Sequence, residues 1–146
     1  MSILSKTLSI VMALMILGTL NVAIADELKP WDQTSVLKIS DDLSSASRRL
    51  QIECRASPPK YFEETSGEHL LFRYHVRHFL SISYKLNNAL EDGAGRDETQ
   101  PLFEVLANMK DDLNGYANTP GGPWLAVQRA VKNVDMYLTQ LESYYE

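Results

Sequence analysis

Apolar positions recur along most of the chain at alternating intervals of three and four residues. That spacing puts side chains on one stripe of an α-helix. The first such segment carries Val36, Ile39, Leu43, Ala46 and Leu50 and runs out near Cys54. Ser40, Asp41, Ser44, Ser45 and Arg48 fall elsewhere around that helix. Asp32, Thr34 or Ser35 can cap its start, and Pro58-Pro59 ends it. A second segment opens on Thr65-Ser66-Gly67-Glu68, which fits a capping box. Its stripe is Phe72, Val76, Phe79, Ser83, Leu86 and Leu90, with His75 and Ile82 at the flank. Gly93 or Gly95 then stops it, either being able to take φ > 0 at little cost.

The third segment begins between Asp97 and Pro101, the proline being tolerated in a first turn. Leu102, Leu106, Met109, Leu113 and Tyr116 form its stripe, and its end falls between Asn114-Gly115 and Ala117. After the loop Asn118-Thr119-Pro120-Gly121-Gly122, Pro123 opens the fourth segment. Its stripe is Trp124, Val127, Val131, Val134, Leu138, Leu141 and Tyr145. No segment alternates with the period of a strand, and no internal repeat interrupts the order. Four such faces bury one another most simply as an all-α, antiparallel up-down-up-down four-helix bundle. A homodimer of helical hairpins would use the same stripes.

The stretch ahead of these helices reads differently. Lys6 precedes an apolar run from Leu8 to Leu20, closed by Ala23-Ile24-Ala25 and then Asp26-Glu27. A basic start, an apolar middle and an A-x-A exit are the order of a cleavable secretory signal peptide. Thr7, Ser9, Gly18, Thr19 and Asn21 interrupt the run and make it a poor spanning helix. The expected division is therefore a signal peptide over residues 1–25 and one bundle domain over residues 26–146. The expected destination is periplasmic or secreted, with no stable membrane anchor after cleavage. A domain of that length buries roughly two-thirds of its unfolded surface and needs no staple.

Charge narrows the partners. The chain carries 14 basic and 19 acidic residues, a formal net charge of −5, and loss of Lys6 with the leader makes it one unit more negative. That balance argues against a broad surface for nucleic acid or anionic membrane. Cys54 is the one cysteine, so no intramolecular disulfide can form. Its place at the end of an apolar stripe suits a buried, inert thiol.

Candidate chemistry is sparse. His69, His75 and His78 are the three histidines, and His75 and His78 stand at i, i+3. Such a pair can share a helix face and hold a transition metal if another helix supplies further ligands. A non-covalent haem b would need an axial partner for His75, with Met109 or Met136 the nominees. By 100° per residue, His75 sits at the boundary of the apolar stripe and His78 faces solvent. No glutamate has a histidine three residues later, so the ligand pattern of di-iron bundles is absent. G-x-S-x-G, H-E-x-x-H, C-x-x-C and glycine-rich phosphate loops are absent too, and no enzyme activity is expected.

The outer face of the second helix stands apart. Leu70, Arg73, Tyr74, Arg77, Ser81, Tyr84 and Lys85 gather three cations and two tyrosines in an acidic chain. Arginine and tyrosine often anchor protein interfaces. The expectation is a non-enzymatic binding protein without a cofactor, recognising another envelope or exported protein through Arg73, Tyr74, Arg77 and Tyr84. The alternative is a metal- or haem-binding bundle centred on His75 and His78. Trp31, Tyr61 and Phe62 are expected to plug the bundle ends.

Overall fold

A computed structural model describes residues 28–56, 66–118 and 125–146. The expected signal peptide, Tyr61, Phe62, Trp124 and the side chains of the Thr65–Glu68 capping box lie outside the described residues. Four helices account for nearly all that is described: α1 (Gln33–Ala56), α2 (Ser66–Glu91), α3 (Arg96–Ala117) and α4 (Leu125–Tyr145). Helix α1 packs on α2 and α4, and α3 packs on the same two, so each helix has two neighbours around one core. The described residues form an all-α four-helix bundle.

Local chemistry sets the helix ends. Asp32 caps α1: its carboxylate accepts the Thr34 N–H at 3.1 Å and the Ser35 hydroxyl at 2.5 Å. Those bonds hold the Asp32 carboxyl below its usual range. Helix α2 ends in a Schellman turn, in which Gly93 N–H donates to Leu90 and Ala94 N–H to Ala89. Gly93 takes φ 89°, the conformation that favours glycine. Glu98 accepts the Gly95 N–H at 2.9 Å and so closes the start of α3. Pro101 stands sixth in α3, beyond the first turn that the sequence suggested for it. The fourfold donor deficit of a helix start covers only the earlier positions, so the ring here removes one intrahelical bond on an exposed side.

The core repeats one rhythm in all four helices, with steps of four and three residues. In α2 it is Phe72, Val76, Phe79, Ser83, Leu86 and Leu90, as expected, and in α4 it is Val127, Val131, Val134, Leu138, Leu141 and Tyr145, all buried. Helix α1 corrects the sequence reading. Its inward positions are Val36, Ser40, Leu43, Ser47, Leu50 and Cys54, and Ser44 is buried as well. Ile39 and Ala46 are only half-buried at the flank. Three small hydroxyl residues thus face inward where an apolar stripe was expected one position away. Ser47 donates to Leu43 at 2.7 Å and Ser44 donates to the Ser83 carbonyl of α2 at 3.2 Å. A hydroxyl satisfied by a helix carbonyl can be buried at low cost, and its small volume lets two helices approach closely.

Helix α3 departs in the same way. Thr99, Phe103, Leu106, Leu113 and Ala117 are buried, while Leu102, Met109 and Tyr116 are half-buried against that core. The position between Leu106 and Leu113 in this rhythm belongs to Lys110. Its ammonium reaches Glu142 of α4 at 2.8 Å and Asp135 at 3.4 Å. A cation at a seam position specifies register, because only one alignment brings both carboxylates to it.

One end of the bundle is closed by the segment ahead of α1. Lys29 N–H donates to the Ser143 carbonyl, and Arg96 donates to the Lys29 carbonyl, both at 2.9 Å. Trp31 lies edge-on to Tyr145 with ring centroids 5.4 Å apart, so it plugs the end as expected. Gln33 donates to the carbonyls of Leu90 and Ala94 across the α2–α3 turn.

Candidate functional site

With Phe72, Val76 and Phe79 turned inward, the helical period carries Arg73 and Arg77 to one flank of α2 and Tyr74 to its outermost line. Leu70 and Tyr74 are each 63% exposed, Leu71 55% and Tyr84 41%. Arg73, Arg77, Ser81 and Lys85 are exposed as well. The Tyr74 ring lies parallel to the His78 ring with centroids 6.3 Å apart, and tilts toward His75 at 6.1 Å. Apolar and aromatic area with cationic edges therefore stands in solvent on one helix, as the sequence pattern implied.

The flank that carries Arg73 and Arg77 faces α1. Together with Gln51, Cys54 and Arg55 of α1 they line a hollow of about 10 Å³, floored by Val76. That is room for about one water and not for an organic ligand. Three arginines line it. Among the described residues none of the three makes an ion pair, whereas the nearby Glu53 is engaged by Arg49 at 2.6 Å. Cys54 is 3% exposed, and burial pushes its thiol up to about 12 against the opposing pull of Arg73. A thiol held so far from ionisation is a poor nucleophile at neutral pH.

The histidines do not converge. His75 is half-buried with Nδ1 3.9 Å from Asp112 Oδ2 of α3, and His78 is exposed. His69 Nδ1 stands 3.3 Å from the Tyr116 hydroxyl, whose ring stacks on Phe72 at 3.9 Å. Burial, with the Arg73 cation second, holds His69 below the ordinary imidazole range. Met109 packs against the core, and Met136 is 45% exposed on α4. Among the described residues no three His, Cys, Asp or Glu side chains are grouped to hold a metal ion.

The sequence pattern singled out Arg73 and Arg77 on the α2 side of this hollow and not Gln51 or Arg55 on its α1 side. Gln51 and Arg55 became visible only once the serine seam fixed how α1 is turned. The signal was present: Ser44, Arg48, Gln51 and Arg55 follow one another at the same helical intervals, beside the buried line rather than opposite it. Compared with protein-family models, curated proteins and solved structures, the chain matches none.

Proposed function

We propose that this chain is an exported, non-enzymatic helical binding protein that recognises another protein of the cell envelope through the outer face of α2. The observation that carries the reading is one face on which Arg73, Arg77, Tyr74 and Tyr84 stand exposed beside Leu70 and Leu71, with both arginines unpaired among the described residues. Exposed tyrosine and arginine supply large contact area and directed donors, the combination that dominates interface hot spots. Export rests on the leader-like order of residues 1–25. Among the described residues no helix is long and apolar enough to cross a membrane.

An antiparallel up-down-up-down arrangement suits the scaffold. Gln33, opening α1, bonds Leu90 at the end of α2, and Gln128, early in α4, bonds Ala117 at the end of α3. Such pairing of starts with ends is what short connections between neighbouring helices produce. A rigid bundle with its own core can hold the face in shape before a partner arrives.

The test is capture from an envelope extract by the tagged chain lacking residues 1–25, compared with the Arg73→Glu, Arg77→Glu double variant. The proposal expects a discrete partner whose capture falls by about tenfold or more in the variant while helical circular dichroism is unchanged. Equal capture by both would remove the face from consideration.

A further inference from the structure

Resting on the reading of α2 as a recognition face, we infer that the contact it makes is a two-helix cleft for carboxylates, in which Arg55 of α1 joins Arg73 and Arg77 to grip an acidic segment of a partner polypeptide. Three observations support this. First, Arg55, Arg73, Arg77 and Gln51 line one hollow between α1 and α2. Each carries N–H donors, and among the described residues no acidic residue shares the lining. Second, among the described residues the three cations make no ion pair. Of the acids on α1 and α2, Glu53 is engaged by Arg49, Asp42 by Lys38, and Glu91 by the Asn87 amide. An ordinary solubilising surface mixes signs along each helix, as the first two of those pairs do. Here one sign accumulates in a chain whose net charge is −5. Third, Arg73 and Arg77 stand at i, i+4 on the same flank, so their planar forks can engage successive carboxylates bidentately.

The surroundings select the occupant. A hollow of about 10 Å³ takes one oxygen of an oxyanion, and the rest of the group stays at its mouth. The exposed Leu70, Leu71 and Tyr74 on the same helix offer apolar contact of the kind a polypeptide supplies beside its acidic groups. A membrane surface calls for cations spread over a broad area, whereas these lie in one cleft of an acidic protein.

Side-chain NMR of arginine in the chain lacking residues 1–25 tests the cleft, with blocked hexaglutamate as the probe. The Nε–Hε resonances of Arg55, Arg73 and Arg77 should shift together and saturate, while Arg129 on α4 stays in place. Arg55→Gln and Arg73→Gln should each weaken the titration by about threefold, the scale of an exposed guanidinium–carboxylate pair. Shifts that never saturate, or that move Arg129 equally, would overturn the inference. So would a saturating response to inorganic phosphate alone, or sedimentation with phosphatidylglycerol vesicles in place of peptide binding. If the Arg73→Glu, Arg77→Glu variant loses its native partner while hexaglutamate leaves the three arginines unmoved, the α2 face stands and the carboxylate cleft falls. If hexaglutamate binds and native capture ignores the charge reversal, the cleft stands and the proposed role of the face falls.

Discussion

The hydroxyls of Thr99 and Tyr145 meet 2.7 Å apart, buried between the first turn of α3 and the last residue of α4. Thr99 already gives its proton to the Gly95 carbonyl at 2.7 Å. The Tyr145 ring stacks on Phe103 at 4.3 Å. Burial raises the Tyr145 phenol above its ordinary value, with the Thr99 bond and the Arg96 charge opposing. A phenol raised on folding contributes stability that is intact below the unfolded value near 10 and lost as pH climbs through the folded one. Tyr145→Phe should cost about 1 kcal/mol at pH 7 and make the variant less sensitive to alkali than the parent. Urea unfolding at pH 7 and pH 10.5 measures both. An identical alkaline slope for parent and variant would show that Tyr145 is not the group responsible.

Cys54 gives a second alkaline signature. Its thiol is pushed up from 9.0 to about 12 by burial, so the folded protein holds roughly one part in ten thousand as thiolate at pH 8. Reaction with a disulfide reagent at pH 8 should proceed only through opening of the bundle and accelerate with the unfolded fraction in urea. The raised value also adds stability that fades as pH rises from 9 toward 12. Prompt labelling of the native protein would refute the burial of this end of α1.

Lys110 occupies a seam position of α3 and is shared by Glu142 and Asp135 of α4. The Glu142 hydrogen bond is the leading cause that raises its ammonium above 10.5, with desolvation opposing. That contribution is complete below 10.5 and disappears as pH rises through the folded value. A double-mutant cycle of Lys110→Met and Glu142→Gln should return a favourable coupling of about 1 kcal/mol at low salt, smaller at high salt. A coupling indistinguishable from zero would leave register to packing alone.

Two buried serines on α1 should answer differently to the same substitution. Ser40 is 0% exposed and its hydroxyl has no hydrogen-bond partner among the described residues, whereas Ser44 donates to Ser83 across the helix pair. Removing an unpaired buried hydroxyl relieves desolvation, and alanine also suits a helix better than serine. Ser40→Ala should therefore raise stability by about 1 kcal/mol. Ser44→Ala loses a bond of about that size and should be neutral or slightly harmful. Chemical denaturation of the two single variants decides it, and equal responses would count against the difference in their environments.

Much of this architecture is legible in the chain because hydrophobic residues mark the seam of α4 from Val127 to Tyr145 and, apart from Ser83, that of α2 from Phe72 to Leu90. The outward turn of Arg73, Tyr74, Arg77 and Tyr84 follows from those seams, as does the boundary placing of His75. In α1 Val36, Leu43 and Leu50 are buried as expected, but Ile39 and Ala46 were read inward in place of their neighbours Ser40 and Ser47, because the first two are apolar and the serines are not. Burial there is governed by volume and by carbonyls of the helix itself, which a hydrophobic pattern does not record. In α3 the same bias promoted Leu102 over its neighbour Phe103, which is fully buried. The misread rotation of α1 also concealed Arg55, since the face of α1 that meets α2 was unknown.

How α1 is turned thus decides both the core and the composition of the candidate cleft, and isosteric cysteine substitution measures it directly. In a Cys54→Ala background, Ser40→Cys, Ser47→Cys and Ser45→Cys place a thiol at two inward positions and one exposed position of the same helix. Labelling of Ser40→Cys and Ser47→Cys should be slower than that of Ser45→Cys by about a hundredfold or more and should track global unfolding. Equal labelling rates at all three would contradict the inward serine seam and, with it, the juxtaposition of Arg55 with Arg73 and Arg77.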